Sequence, residues 1–257
     1  LNEYWILIFV FLSSFVYGLI GFGDALILIP IASPIIGIQA AIILVTIWGV
    51  VPSVLNLIQY RHFMDKKFLI RAILTGIPGA VIGSLLLLLS INLRWVELLL
   101  GCFILTYSIL KIRSVLKTKE EIQTEDIFIS KEISEPILII GGFSYGLFGG
   151  LIGASGPINV ALLEGTGHYK ENFIGNFAAI GFPLTILKIS LYIATDSFPK
   201  DNLLIIFLIG LPIIIFASKL GHKLTPKIPV ETFRLIILVA LIIIGIRSIL
   251  KQTIFYT

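Results

Sequence analysis

Apolar stretches separated by short polar loops run the length of this chain, and two of them are themselves broken by glycine. The unbroken stretches lie near 38–60, 68–89, 95–116, 171–195, 202–218 and 230–250. Each is close to the ~20 residues an α-helix needs to cross a bilayer, so the pattern predicts transmembrane helices there. The broken stretches are 4–33 and 136–164, which contain GFGDALILIP at 21–30 and GGLIGASGPIN at 149–159. No ten-residue alternation points to a membrane barrel.

The same order of landmarks occurs twice. FVYGLIG at 15–21 returns as FSYGLFG at 143–149, identical at five of seven positions and offset by 128 (143 − 15). Pro30 then matches Pro157, Pro52 matches Pro183, Gly76-Ile77-Pro78 matches Gly210-Leu211-Pro212, and Arg113-Ser114 matches Arg247-Ser248. A slowly drifting offset with conserved order is the mark of a duplicated unit. The expected fold is an all-α polytopic membrane protein of two inverted repeats, each a glycine-broken helical hairpin followed by three transmembrane helices. The first repeat takes 1–116 and the second 136–257. Between them KTKEEIQTEDIFISKEISE, 117–135, mixes both charge signs and is expected to be a solvated cytoplasmic connector.

Lysine and arginine favour the cytoplasmic side of short loops. If each broken element dips into the membrane and returns, only Arg94, Lys200, Arg247 and Lys251 fall outside. If each crosses once, the second half flips and the bias weakens. Hairpins, and opposite orientation of the halves, are therefore preferred.

Composition agrees: 57% of side chains are hydrophobic and 13% charged, with a mean hydropathy of +1.05, against roughly 45–50% apolar in soluble domains. The net charge of +4 is dispersed over loops, which suits membrane topology and not nucleic acid. The first apolar stretch lacks a basic leading region and a cleavage site, so it is expected to belong to the fold. The lone Cys102 offers neither a disulfide nor a metal-binding pair, and His62, His168 and His222 are expected to be loop residues at no ligand-like spacing. Neither a metal nor another cofactor is implied.

In hydrocarbon an irregular backbone survives only against protein or a water-filled cavity. The second break then reads as the start of a half-helix, with Ser155 as its N-cap, Pro157 in its first turn, and Gly153 and Gly156 supplying freedom. Its free N–H groups would form an anion site. The first break places Gly21, Gly23 and Asp24 in the corresponding position; Asp24 suits either helix capping or a coupling role such as binding a proton or cation. Lys188 interrupts the 171–195 helix and either faces the bundle interior or snorkels outward. Asn56 follows Pro52 by four residues and Lys188 follows Pro183 by five, which puts polar side chains at similar depth in both halves. Asn159, Asn176, Ser53 and Gln59 are further candidates for hydrogen bonding to substrate, with helix packing as the alternative. Gly142/Gly146 and Gly79/Gly83 read as small-residue pairs that let helices approach.

These features resemble the TauE/SafE anion permeases, described as sulfite exporters. The resemblance spans nearly the whole chain and rests on the two-repeat plan, YGLIGFG with Pro30, and GGLIGASGPINVALLEGTGHYKENF. It implies transport of sulfite, organosulfonates or related small sulfur-containing anions across the cytoplasmic membrane. The chain departs from the family's first-repeat glycine run at Gly21-Phe22-Gly23-Asp24, and from the second at Gly153-Ala154-Ser155-Gly156-Pro157. The expectation is a secondary transporter, with an anion channel or carriage of an unrelated small anion as alternatives. A small sulfur anion and the lipid bilayer are the expected partners, a homodimer is the default assembly for so small a transporter, and no paired carboxylates or nucleophile with its base suggest an enzyme.

Overall fold

The computed structural model describes residues 5–89, 134–165, 168, 170–197 and 202–227, with isolated positions between 102 and 109 and between 229 and 246. The predicted helices over 95–116 and 230–250, and nearly all of the connector at 117–135, fall outside that set. The described residues are helical and contain no strand.

The first broken stretch folds as α1 (Ile6–Ile20) and α2 (Asp24–Ile36). Gly21 and Gly23, at φ +88° and +104°, make the break in a left-handed conformation that other residues resist. After Gly37 come α3 (Ile38–Trp48) and α4 (Val50–Tyr60), which run on through Gly49, and then α5 (Lys66–Leu89). The second half repeats this order as α6 (Glu135–Ile152), a break at Gly153 (φ +68°), α7 (Gly156–Gly165), α8 (Lys170–Ala194) and α9 (Asn202–Leu224). Pro157 lies in the first turn of α7 as expected, whereas Pro30 lies in the middle of α2, so the two prolines do not hold equivalent places.

Five segments among the described residues are long and apolar enough to span a membrane: Ile38–Phe63, Lys66–Leu89, Glu135–Ile152, Glu171–Ala194 and Ile205–Lys227. Their outward faces expose Ile70, Leu74, Ile140, Ile193, Leu208 and Phe216, a surface that hydrocarbon solvates and water does not. The chain is a multi-pass membrane protein.

Two interfaces bring backbones into contact. Gly76, Gly79 and Gly83 of α5 meet Gly142, Gly146 and Gly150 of α6; a β-carbon at Gly79 would overlap the Phe143 carbonyl, and one at Gly146 the Gly76 carbonyl. The small-residue pairs read from the sequence therefore do pack helices. On the other side α1 meets α9 through Gly18 and Gly221, with the Ser218 hydroxyl donating to the Ser14 carbonyl and Thr225 to that of Leu19.

These contacts also fix directions. Along α5 and α6, Thr75 meets Gly142 and Gly83 meets Leu151, so the two run parallel. Phe11 meets Phe216 and Leu19 meets Thr225, so α1 and α9 run parallel. Trp48 meets Phe207 and Asn56 meets His222, which gives α3 and α4 the direction of α9 and hence of α1. Between α1 and α3, then, α2 must run back.

In the second half Tyr145 meets Phe177 and Gly149 meets Lys188, so α8 follows α6. Leu162 lies on Gly141. Run straight on, the intervening 21 residues (162 − 141) would hold them ~31 Å apart, so α7 also doubles back. Finally, the end of α4 meets the start of α8, at Tyr60 and Gly175, while the earlier Gly49 shares a cavity with the later Lys188. The α8 and α6 helices therefore run opposite to α4 and α1.

One boundary differs from expectation. The helix expected to end at 218 continues to Leu224 and closes in a 3₁₀ turn, Thr225–Lys227. Gly221 invites a stop signal but serves the close approach to α1. His222 is consequently a buried residue within α9, not a loop residue, and its imidazole is hydrogen-bonded to Asn56.

Candidate transport site between the two helix breaks

Both breaks line one small cavity of about 70 Å³, room for a few water-sized positions. From the first half it receives Tyr17, Phe22, Gly23, Asp24, Thr46, Gly49 and Ser53, and from the second Tyr145, Gly153 to Gly156, Phe177, Gly181, Thr185 and Lys188. The ends of α1 and α6 and the beginnings of α2 and α7 all arrive here, because each hairpin turns at the cavity wall.

Lys188 is buried, with 9% of its surface accessible. It therefore faces the interior and does not snorkel. Its ammonium donates to the Gly149 carbonyl at 3.3 Å, one of the last four carbonyls of α6 that the helix itself leaves unpaired. The negative end of a half-helix thus helps hold the lysine in hydrocarbon.

Asp24 is the first residue of α2, with its carboxylate in the first turn of that helix. It fills the positive end of that half-helix, as capping chemistry would have it. It also faces Lys188 within electrostatic reach, yet the pair is not among the ion pairs of the described residues, where Arg71 and Glu135 form one at 3.4 Å on the exposed surface.

Two tyrosines from the repeated heptapeptide stand over the cavity. The hydroxyls of Tyr17 and Ser53 are 2.9 Å apart in a hydrogen bond. Tyr145 holds its hydroxyl over Gly181, where a β-carbon would come within 2.9 Å of it. Gly49 makes the corresponding space in α3–α4: a β-carbon there would lie 3.5 Å from Asp24 Oδ2. Phe22 stacks on Phe177 at 5.8 Å between centroids and meets Phe173 edge-on, an apolar wall on one side.

Of the residues expected at the site, Gly23, Asp24, Gly153, Ser155, Gly156 and Lys188 line the cavity. Gly21 instead closes α1, its N–H bonded to the Tyr17 carbonyl at 2.7 Å. Ser155 stands in the N-cap position, its carbonyl accepting from Ile158 and Asn159. Asn159 is fully buried one turn into α7 and does not line the cavity. Asn176 lies elsewhere: it accepts from the Asp65 N–H at 2.8 Å and donates to the Phe63 carbonyl at 3.1 Å, bracing the turn between α4 and α5. Asn56 also lies away from the cavity lining, paired with His222. Sequence reasoning missed Tyr17, Tyr145, Gly49, Gly181, Thr46 and Thr185. The tyrosines recur at one place in both halves, and that recurrence was the available signal.

A polar, cation-bearing cavity enclosed where two helices break inside a bundle of membrane spans is the arrangement of a membrane transporter for small solutes. The comparison with known families agrees: residues 6–248 match the model of the sulfite exporter TauE/SafE family, and the chain belongs to that family of anion transporters. No curated protein and no solved structure matches the chain.

Proposed function

We propose that the protein is a secondary transporter that carries small sulfur-containing anions, sulfite or organosulfonates, across the cytoplasmic membrane by alternating access. The supporting observation is the single cavity built from both helix breaks with Lys188 in its wall. The ammonium supplies the charge, the first turn of α7 supplies the Gly156 N–H and the positive helix end, and the hydroxyls of Ser155, Tyr145 and Thr185 surround the remaining oxygens. The anion is thus read at the second break, since Asp24 already occupies the N-terminus of α2. The opposed directions of α1 and α6, and of α4 and α8, support reading the halves as inverted repeats, on which alternating access is built in many carriers.

Counterflow tests this. Proteoliposomes loaded with excess unlabelled sulfite should transiently accumulate labelled sulfite, and Lys188→Ala should reduce that accumulation at least about tenfold, the effect of losing ~1.4 kcal/mol of anion binding. Labelled sulfite that equilibrates without accumulation would mean a channel. Counterflow with trapped taurine, sulfoacetate or thiosulfate but not sulfite would reassign the substrate within the sulfur anions, and none with any of them would remove that class.

A further inference from the structure

The charges in the cavity, taken together, limit what can accompany the anion. Asp24 and Lys188 are the two ionised side chains among its lining residues. The other titratable groups facing Asp24 are Tyr17 on α1 and Tyr145 on α6, both neutral phenols in ordinary conditions. From α3, α4 and the Gly49 between them come Val45, Thr46, Gly49 and Ser53, none of them titratable. The empty cavity, with a carboxylate and an ammonium, is electrically neutral. Adding a monoanion to it leaves one net negative charge enclosed in the bundle, which burial disfavours. One proton on Asp24 restores neutrality.

The geometry allows that proton to be taken and released. Asp24 forms no ion pair with Lys188, whose ammonium is instead held by the Gly149 carbonyl. The carboxyl is partly open to the cavity while the rest of its surroundings is buried. Protonation therefore breaks no salt bridge, and it frees the ammonium's field for an incoming anion. A carboxylate beside the anion would repel it; a carboxylic acid would not.

We propose that Asp24 is the proton-carrying group of an electroneutral symport, in which one proton on Asp24 enters and leaves with each monoanion at Lys188. This rests on the transporter reading above. The step is a proton transfer only: the carboxylate takes a proton from water on the side where the anion binds and returns it to water on the other side. Loaded and empty cavities are then both neutral, and neither form is moved by the membrane potential.

The experiment uses labelled sulfite and the full chain in proteoliposomes, with protein-free vesicles subtracted, comparing wild type with Asp24→Asn. Wild type should accumulate sulfite several-fold when the outside is made acid, and should not respond to a potassium diffusion potential at equal pH. Asp24→Asn fixes the neutral form of the side chain. Uptake through it should lose the response to the pH gradient and become responsive to the potential, because its empty cavity now carries Lys188 unbalanced. Wild-type uptake driven by potential, or a pH response retained in Asp24→Asn, would overturn the proposal; retention would place the proton on sulfite itself. An independent readout needs no substrate: on acidification the purified protein should show an infrared carboxylic-acid band that is missing in Asp24→Asn. Its absence in wild type also overturns the proposal. If that band is present while wild type exchanges no sulfite, the proton site stands and the sulfur-anion reading falls.

Discussion

Lys188 could be picked out from the sequence because a cation in the middle of an apolar stretch must be held by something, and here the last turn of α6 holds it. Tyr17 and Tyr145 carried only the sign of recurring at one place in both halves, since a single tyrosine in an apolar segment is indistinguishable from an ordinary core residue until its hydroxyl is seen to reach a partner. Asn56 and Asn176 show the reverse: polar and buried, they were reasonable candidates, yet they serve His222 and the α4–α5 turn. Gly181 is the most testable of the residues that the sequence did not single out. An alanine methyl there would lie 2.9 Å from the Tyr145 hydroxyl, closer than a carbon and an oxygen tolerate without shifting. The ring must then shift within the cavity that it lines. Gly181→Ala should raise the KM for sulfite counterflow several-fold while the melting temperature in detergent stays near that of wild type, because alanine favours the α8 helix. A melting temperature lowered in proportion to the loss would make Gly181 a packing glycine only.

At the level of elements, the two breaks and the α5 and α8 spans were legible because glycine clusters and uninterrupted apolar runs are local signals. The extent of α9 was not, because a glycine between lysines such as Lys219 and Lys223 reads alike whether it ends a helix or lets another helix approach. What decides is the neighbour, and the neighbour of Gly221 is α1. The same ambiguity makes the α5–α6 seam a useful test. At Gly79 an added β-carbon would meet the Phe143 carbonyl and the Leu147 N–H, both backbone, so the helices themselves must part. Gly79→Ala should destabilise the protein by ~1–3 kcal/mol, the usual cost of overpacking, even though alanine is the better helix former by ~1 kcal/mol. Thermal unfolding in detergent measures it, and an unchanged or raised melting temperature would show that the seam is not tight.

For the whole molecule, the packing pattern survives exchange of the halves. Helix α1 leans on α9 and α6 leans on α5, each hairpin therefore resting on the long helix of the other half. Grouped by contact, α1, α2, α3 and α9 gather on one side and α5 to α8 on the other, with α4 between them, and the two sides join chiefly where α4 and α3 cross α8. The cavity lies in that junction. This exchange of α5 and α9 could not be read from the repeat, since an offset in sequence says which segments are alike and nothing about which of them touch. It changes what should move: the glycine seams have backbone against backbone and little freedom to slide, so alternating access should work across the α4–α8 junction and leave both seams intact. Two disulfides separate these cases in a Cys102→Ser background, which removes the chain's one cysteine. Cysteines at Tyr60 and Gly175 would join α4 to α8, where the β-carbons stand 3.1 Å apart, and cysteines at Thr75 and Gly142 would join α5 to α6 at 3.2 Å, both near the separation a disulfide requires. Each pair must first transport when reduced. Oxidation should then stop sulfite counterflow in the Tyr60–Gly175 pair, reversibly on reduction, and leave the Thr75–Gly142 pair active. Arrest by the α5–α6 bond with free movement under the α4–α8 bond would mean that the two sequence halves move as blocks and the exchanged helices slide along their seams.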